Sequence, residues 1–263
     1  MKNSLTYRIV TGVICIFFTV LFMFPLVLML TKSLDKNGIQ NYIQVMEIVD
    51  FKPNFITSII VVFGTLLVVS IVASMAAFAF SKLNFKGRNL IYYILLMGMM
   101  IPTSALVFPL FQIVKGLGIN NTPFALVLPY ATLNAVFNLM VLKNFFDGLP
   151  NELIEAAYID GASMWKIYRK IMFPLSIPGL VIVLIQTFLT AWNELQMGMI
   201  FINDPAKQPL SVVPLRFMQS ASSTYPVEVM YAALVICLAP IAIFYIFAQK
   251  FLLAGMTAGA VKG

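Results

Sequence analysis

The sequence predicts an all-α integral membrane protein with six transmembrane helices and both termini cytoplasmic, and three observations carry that reading. First, 61% of its 263 residues are hydrophobic and only 10% are charged, against about 25% charged in an ordinary soluble domain; the mean hydropathy is +0.95. Second, the apolar residues gather into six stretches, each near the roughly 20 residues that a helix needs to cross a bilayer core. Third, with the N-terminus inside, eleven of the 17 basic residues fall in inner segments, so that the inner side nets +7 and the outer side +1. Such an excess of Lys and Arg marks the cytoplasmic face.

The elements follow in order. The stretch 9–30 lies behind Lys2 and Arg8 like the basic start of a signal peptide. Its apolar run exceeds the roughly 7–15 residues of a signal peptide's core and no A-x-A site follows, so it reads as an uncleaved helix. The second stretch, 55–80, has small residues at four-residue spacing (Ser70 and Ser74, Ala73 and Ala77), which permit close approach of a neighbouring helix. The third and fourth are 90–111 and 122–142, the latter with Asn134 and Asn138 one helical turn apart. The fifth, 175–202, contains Glu194, the one charged residue inside any stretch, and the sixth is 229–249. Pro25, Pro102, Pro109, Pro129, Pro178 and Pro240 lie within these stretches. Each removes a backbone donor, which fits either ordinary kinking or a bundle built to bend around a pathway. Residues 1–263 read as a single transmembrane domain with a cytoplasmic loop, 143–174, and a cytoplasmic tail, 250–263.

Composition also excludes. With no histidine, His-based triads, His metal sites and His proton relays are gone. Cys15 and Cys237 sit in apolar runs and match no ligand spacing, so no metal site is expected. None of the stretches contains Asp, which removes an intramembrane Asp dyad, and no catalytic residue is assigned. The basic residues form no long run interleaved with aromatics, so nucleic acid is not expected as a partner. The phosphate loop G-x-x-x-x-G-K-[ST] is missing, and with it the usual ATP site. An ion-coupled secondary transporter using Glu194 as its proton site stays open at this point.

The loop 143–174 is the longest inner segment. Pro150 marks a helix start, with Glu152 and Glu155 near the positive end of the helix dipole. Gly161 interrupts the pattern, which resumes over 162–172 with Lys166, Arg169 and Lys170. A helix, a glycine turn and a second helix would make a compact knob whose small residues, Ala156, Ala157, Gly161 and Ala162, admit another surface closely. The alternative is an amphipathic helix lying in the membrane interface.

Glu155-Ala156-Ala157, three residues, Gly161, nine residues, Ile171, one residue and Phe173-Pro174 resemble the EAA signature (E-A-A-x3-G-x9-I-x-L-P) of ABC-importer permeases. Six of its seven fixed positions agree, with Phe173 in place of Leu. Trp192-Asn193-Glu194 and the tail from Gly255 to Gly263 are similar to carbohydrate-importer permeases of the maltose type, specifically the smaller of the two permeases. The resemblance implies kinked helices around a translocation pathway shared with a second permease as a heterodimer. It further implies two cytoplasmic ATPase subunits carrying ATP and Mg, an extracellular or periplasmic solute-binding protein, a sugar substrate, and a bacterial-type inner or plasma membrane. No cofactor is expected on this chain.

The resemblance also assigns residues. Glu155 would offer its carboxylate to a basic residue in a groove of the ATPase, Ala156 and Ala157 would allow tight seating, and Gly161, between Asp160 and Ala162, would supply the bend. Thr257, Ala258, Gly259, Ala260, Val261 and Lys262, expected to be disordered when unbound, would insert between the two ATPase subunits. The segment 203–228, with Pro205, Pro209, Pro214 and Pro226, is either a solvated connector or a contact for the solute-binding protein. A carboxylate at mid-membrane costs about 2.5–3.5 kcal/mol, so Glu194 should face a cavity or a partner. Either it lines the pathway, with Trp192 as a stacking face and Asn193 as a donor, or it bonds to the partner permease; Asn134 and Asn138 pose the same choice. Importers of amino acids, phosphate or peptides share the EAA loop, but Trp-Asn-Glu and the tail favour a sugar.

Overall fold

The computed structural model describes residues 5–218 and 225–260, with side chains over 7–218 and 225–251. Every regular element among them is helical. The chain divides into two compact units, one of residues 1–51 and 213–240 and one of residues 52–212 and 241–263.

In the first unit, helix α1 (Leu5–Ser33) leads into α2 (Gln40–Ile48). None of the most apolar window of α1 is buried, and the rings of Phe17, Phe18 and Phe22 pack on one another along it. The turn after α1 is held by polar contacts: Ser33 Oγ lies 2.6 Å from the Tyr42 hydroxyl, and Asn41 Nδ2 donates to the carbonyls of Ser33 and Asp35 at 3.0 Å. Lys36 reaches Glu228 at 2.6 Å, and this partner raises the lysine above its ordinary pKa.

The second unit holds α3 (Phe51–Lys82), α4 (Arg88–Met97), α5 (Thr103–Gly116), α6 (Phe124–Asp147), α7 (Glu152–Ile159), α8 (Met164–Ile167), α9 (Phe173–Leu175), α10 (Ile177–Asn193) and α11 (Gln196–Phe201). A short α12 (Leu215–Met218) belongs to the first unit, and α13 (Val227–Ala260) gives its residues up to Pro240 to the first and the rest to the second. Among the described residues four helices are long and apolar enough to cross a membrane unbroken, and up to six spans result if each of two bent pairs counts as one.

Those bent pairs correct two of the expected stretches. The third is broken by 103° between Met100 and Thr103. Ile101 there is extended (φ −79°, ψ 121°), because the ring of Pro102 disfavours the helical region for the residue before it. The fifth is bent by 73° between Leu175 and Ile177 and leaves the helix at Asn193 rather than 202. Pro102 and Pro178 therefore mark breaks, whereas Pro25, Pro109, Pro129 and Pro240 sit inside continuous helices.

The core of the second unit draws on α3, α6, α10 and the long loop. Val69, Ala73, Ala77 and Phe78 of α3 pack with Leu139, Leu142 and Phe146 of α6, with Leu180 and Val183 of α10, and with Ile167 and Met172 from the long loop. The four-residue spacing of small side chains is thus spent on packing: Ala73, Ser74 and Ala77 are all buried. At Gly179 of α10 a Cβ would lie 2.7 Å from the Phe145 ring, so only glycine lets α10 come this close to α6.

Candidate functional site

The loop between α6 and α10 folds into two helical pieces around a glycine. Helix α7 follows Asn151, whose side chain makes no capping bond, and carries Glu152 and Glu155 in its first turn, where carboxylates suit the positive helix end. It ends in a Schellman motif: Gly161, at φ +74°, donates to the Tyr158 carbonyl, and Ala162 donates to that of Ala157, both at 3.0 Å. This left-handed residue favours glycine. Ser163 then caps α8 by accepting from the Lys166 amide. A π-helical turn, Tyr168–Met172, continues into α9.

Glu155, Ala156, Asp160 and Gly161 are exposed, and among the described residues no ion pair engages Glu155. Ala157 corrects the expectation that both alanines face outward. It is buried in the chain's own core, with Ile154 and Ala162 packed beside it, so it seats the knob on its own bundle and Ala156 alone is presented. The outer face carries residues that sequence reading did not single out: Leu153, Tyr158, Ile159, Met164 and Trp165 are all exposed, Ile159 to 85%. The signal for them was present in the amphipathic pattern, as the apolar side chains left off the face that Ala157 buries.

The residues expected along a pathway are brought together differently. Glu194 is not inside a helix; it is the extended residue after α10 (φ −67°, ψ 121°). Its Oε1 accepts the Met197 amide at 3.0 Å and its carbonyl accepts Ser211 Oγ at 2.7 Å, so the carboxylate caps the turn into α11. Trp192 is only 5% exposed, stacked on Phe188 at 5.5 Å and edge-on to Phe55 at 6.1 Å; its ring is a packing element rather than an open sugar platform. Asn193 is exposed, with Nδ2 donating to the Leu189 carbonyl at 2.8 Å.

Asn138 and Asn134 tie α6 to α10. Asn138 Nδ2 donates to Thr187 Oγ1 at 2.7 Å, and Thr190 Oγ1 donates to Asn134 Oδ1 at 2.9 Å. Asn138→Leu and Thr187→Val are each expected to destabilise the detergent-solubilised protein by about 1 kcal/mol, the double variant costing less than the sum. Thermal unfolding of the four proteins measures that coupling; strict additivity would remove the bond's energetic role.

Part of the segment 203–228 is anchored. Asn54 Nδ2 donates to the carbonyls of Pro205 and Gln208 at 2.8 and 2.7 Å, and Ser58 Oγ accepts the Leu210 amide at 2.8 Å. Residues 205–210 are therefore fixed on the start of α3, which a solvated connector would not need. An apolar groove of about 290 Å³ includes Leu66, Leu184, Phe188, Phe244 and Phe251 in its lining and offers a polyhydroxylated ligand no hydrogen-bonding side chain. Among the described residues no group of three or more Cys, Asp or Glu is placed to hold a metal ion. In the tail, the backbone of Thr257, Ala258, Gly259 and Ala260 is helical as the end of α13, in place of the expected disorder. Their side chains, and Val261 and Lys262, lie outside the described residues.

Comparison with known proteins gives a consistent result. Residues 69–258 match the family described as the binding-protein-dependent transport system inner membrane component. The chain is 32% identical over 278 aligned positions to the trehalose/maltose transport system permease protein MalG of Thermococcus litoralis, covering 100% of both chains. It is 36% identical to the putative ABC transporter permease protein ORF2 of a Caldicellulosiruptor species, over 80% of this chain and 77% of that one. Its fold matches a chain of a bacterial ABC transporter involved in import of the acidic polysaccharide alginate, with a TM-score of 0.81 at 22% identity, covering 95% of this chain and 98% of that one.

Proposed function

Because the chain belongs to the family of binding-protein-dependent transport system inner membrane components, we propose that it is one of two permease subunits of an ABC importer that takes up a carbohydrate. It is a multi-pass membrane protein. The observation that carries the coupling role is the knob of α7 and α8, which exposes the Glu155 carboxylate together with Tyr158 and Ile159 on α7 and Trp165 on α8. An exposed apolar patch of this kind marks a protein-binding surface, and a cytoplasmic ATPase subunit is the partner proposed for it. Closure of two such ATPases on ATP and Mg would turn the knob, and the knob would turn the helices packed on it as a rigid body.

The remaining proposals follow the same logic. With the knob and both termini inside, the excess of positive charge lies on the cytoplasmic face. The anchored segment 205–210 then faces outside, where a solute-binding protein would dock. The end of α13 would reach the ATPase pair. A sugar substrate is supported by the relative named for trehalose and maltose transport, which aligns over the full length of this chain. An ion-coupled mechanism through Glu194 has less support, since that carboxylate is engaged as a helix cap.

Deleting the gene in its own host and following uptake of a labelled panel of sugars, amino acids and phosphate tests the reading. Loss of uptake of one disaccharide or oligosaccharide, restored by the intact gene, is the expected result. Loss confined to an amino acid or to phosphate would overturn the assignment to carbohydrate.

A further inference from the structure

The proposed coupling requires that the knob be attached to a helix that moves with it, and the hydrogen bonds identify which. Lys82 is the last residue of α3. Its Nζ donates to the Leu149 carbonyl and to Asn151 Oδ1, both at 2.7 Å. Asn151 is the N-cap of α7, yet its side chain makes no capping bond; its amide oxygen is held by Lys82 instead. One residue earlier, Ser81 Oγ donates to Asp147 Oδ1 at 2.6 Å, while Lys143 holds the other oxygen at 2.7 Å. The entry into the knob is therefore fixed to the end of α3 at Asp147, Leu149 and Asn151.

The exit from the knob is fixed to the same helix. The Tyr168 hydroxyl lies 2.8 Å from Ser74 Oγ, in a buried contact. Phe78, between these two attachment levels, packs edge-on against Phe146 at 6.1 Å and at a tilt against Tyr168 at 5.3 Å. Positions 74, 78 and 82 recur at four-residue spacing, one face of α3. That face bonds the loop before α7 and the turn after α8, so the knob is clamped at both ends to one helix.

We infer that Lys82 is a positioning residue for coupling: it clamps the knob to α3, so that displacement of the knob moves this helix. The inference rests on the proposed ATPase role of the knob for its function, but not for its geometry. A lysine serves because its ammonium supplies several donors on a long stem, enough to bridge a loop carbonyl and the Asn151 side chain together.

Lys82→Met keeps the stem and removes the donors; Lys82→Arg keeps charge and donors. In vesicles holding the full complex, sugar uptake and ATP hydrolysis are measured on the same sample. Lys82→Met is expected to keep ATP hydrolysis within about twofold while uptake per ATP falls about tenfold, as loss of a charge-assisted hydrogen bond would give. Lys82→Arg is expected to recover most of that ratio. An unchanged ratio in Lys82→Met, a proportional fall of both activities, or no recovery in Lys82→Arg overturns the inference.

Hydrogen exchange over residues 148–156 of the purified chain gives a readout free of transport. It is expected to accelerate in Lys82→Met and to return toward the original rate in Lys82→Arg, and equal rates in all three proteins overturn the clamp. Failure of the unmodified complex to move any sugar would count against the carbohydrate reading alone, because the exchange rates still decide the clamp.

Discussion

Ile159→Asp is expected to weaken binding of the ATPase subunit to the solubilised permease by roughly 100-fold while leaving its melting temperature unchanged. The two halves of that expectation come from one observation. Ile159 is 85% exposed, so its side chain makes almost no contact in the free subunit and its loss has nothing to destabilise. Seated in a partner's groove, the same side chain would contribute about 2–3 kcal/mol by leaving water. An aspartate there would lose that term and add the cost of desolvating a carboxylate. Ile159→Val removes one methylene group and is expected to cost about 1 kcal/mol by the same reckoning. A titration of labelled ATPase against the three proteins in detergent measures the series. Equal affinity for all three would show that this face of the knob is not the docking surface.

Much of this site is legible in the sequence, and the parts that are not have identifiable physical reasons. Glu155, Gly161 and the helix–turn–helix around them could be read because local chemistry fixes them: a helix needs a start, and a left-handed residue at its end favours glycine. The membrane spans were legible because the solvent is lipid and selects long apolar helices. The helix end before Glu194 is not legible because the stretch stays apolar to Ile202 although the helix ends at Asn193; periodicity does not register a break whose polar groups are met by Ser211 and by the carboxylate itself. The sharp bend at Pro102 was visible only as one proline among six, four of which leave their helices continuous. Ala156 and Ala157 are identical in sequence terms, and only the place of Ala157 in the buried core cluster separates it from its exposed neighbour. In the sequence Lys82 is only a positive charge after an apolar stretch, and its bonds to Leu149 and Asn151 depend on a residue separation that no local pattern reports.

Substituting Gly161 should separate conformational demand from steric space. A Cβ at this position would meet no atom within 4 Å, so a side chain here causes no clash within the subunit. The obstacle is the backbone, held at φ +74°, where an L-residue costs about 1–2 kcal/mol and a β-branched one is a true outlier. Gly161→Asn is therefore expected to couple nearly as well as glycine, since asparagine visits this region readily, with Gly161→Ala intermediate. Gly161→Val is expected to expel the residue from the left-handed region. The bonds from Gly161 to Tyr158 and from Ala162 to Ala157 would then be lost, and α7 would no longer turn back onto α8. Because Lys82 and Tyr168 hold the two ends of the knob to α3, the damage should stay in the knob, with the membrane helices still folded. Uptake per ATP hydrolysed is thus expected to fall in the order Asn, Ala, Val, by about tenfold or more at Val, with little change in melting temperature. If Val couples as well as Asn, the turn is not what sets the angle between α7 and α8; if Asn fails along with Val, a partner must fill the space beside Gly161, and contact rather than conformation requires the glycine.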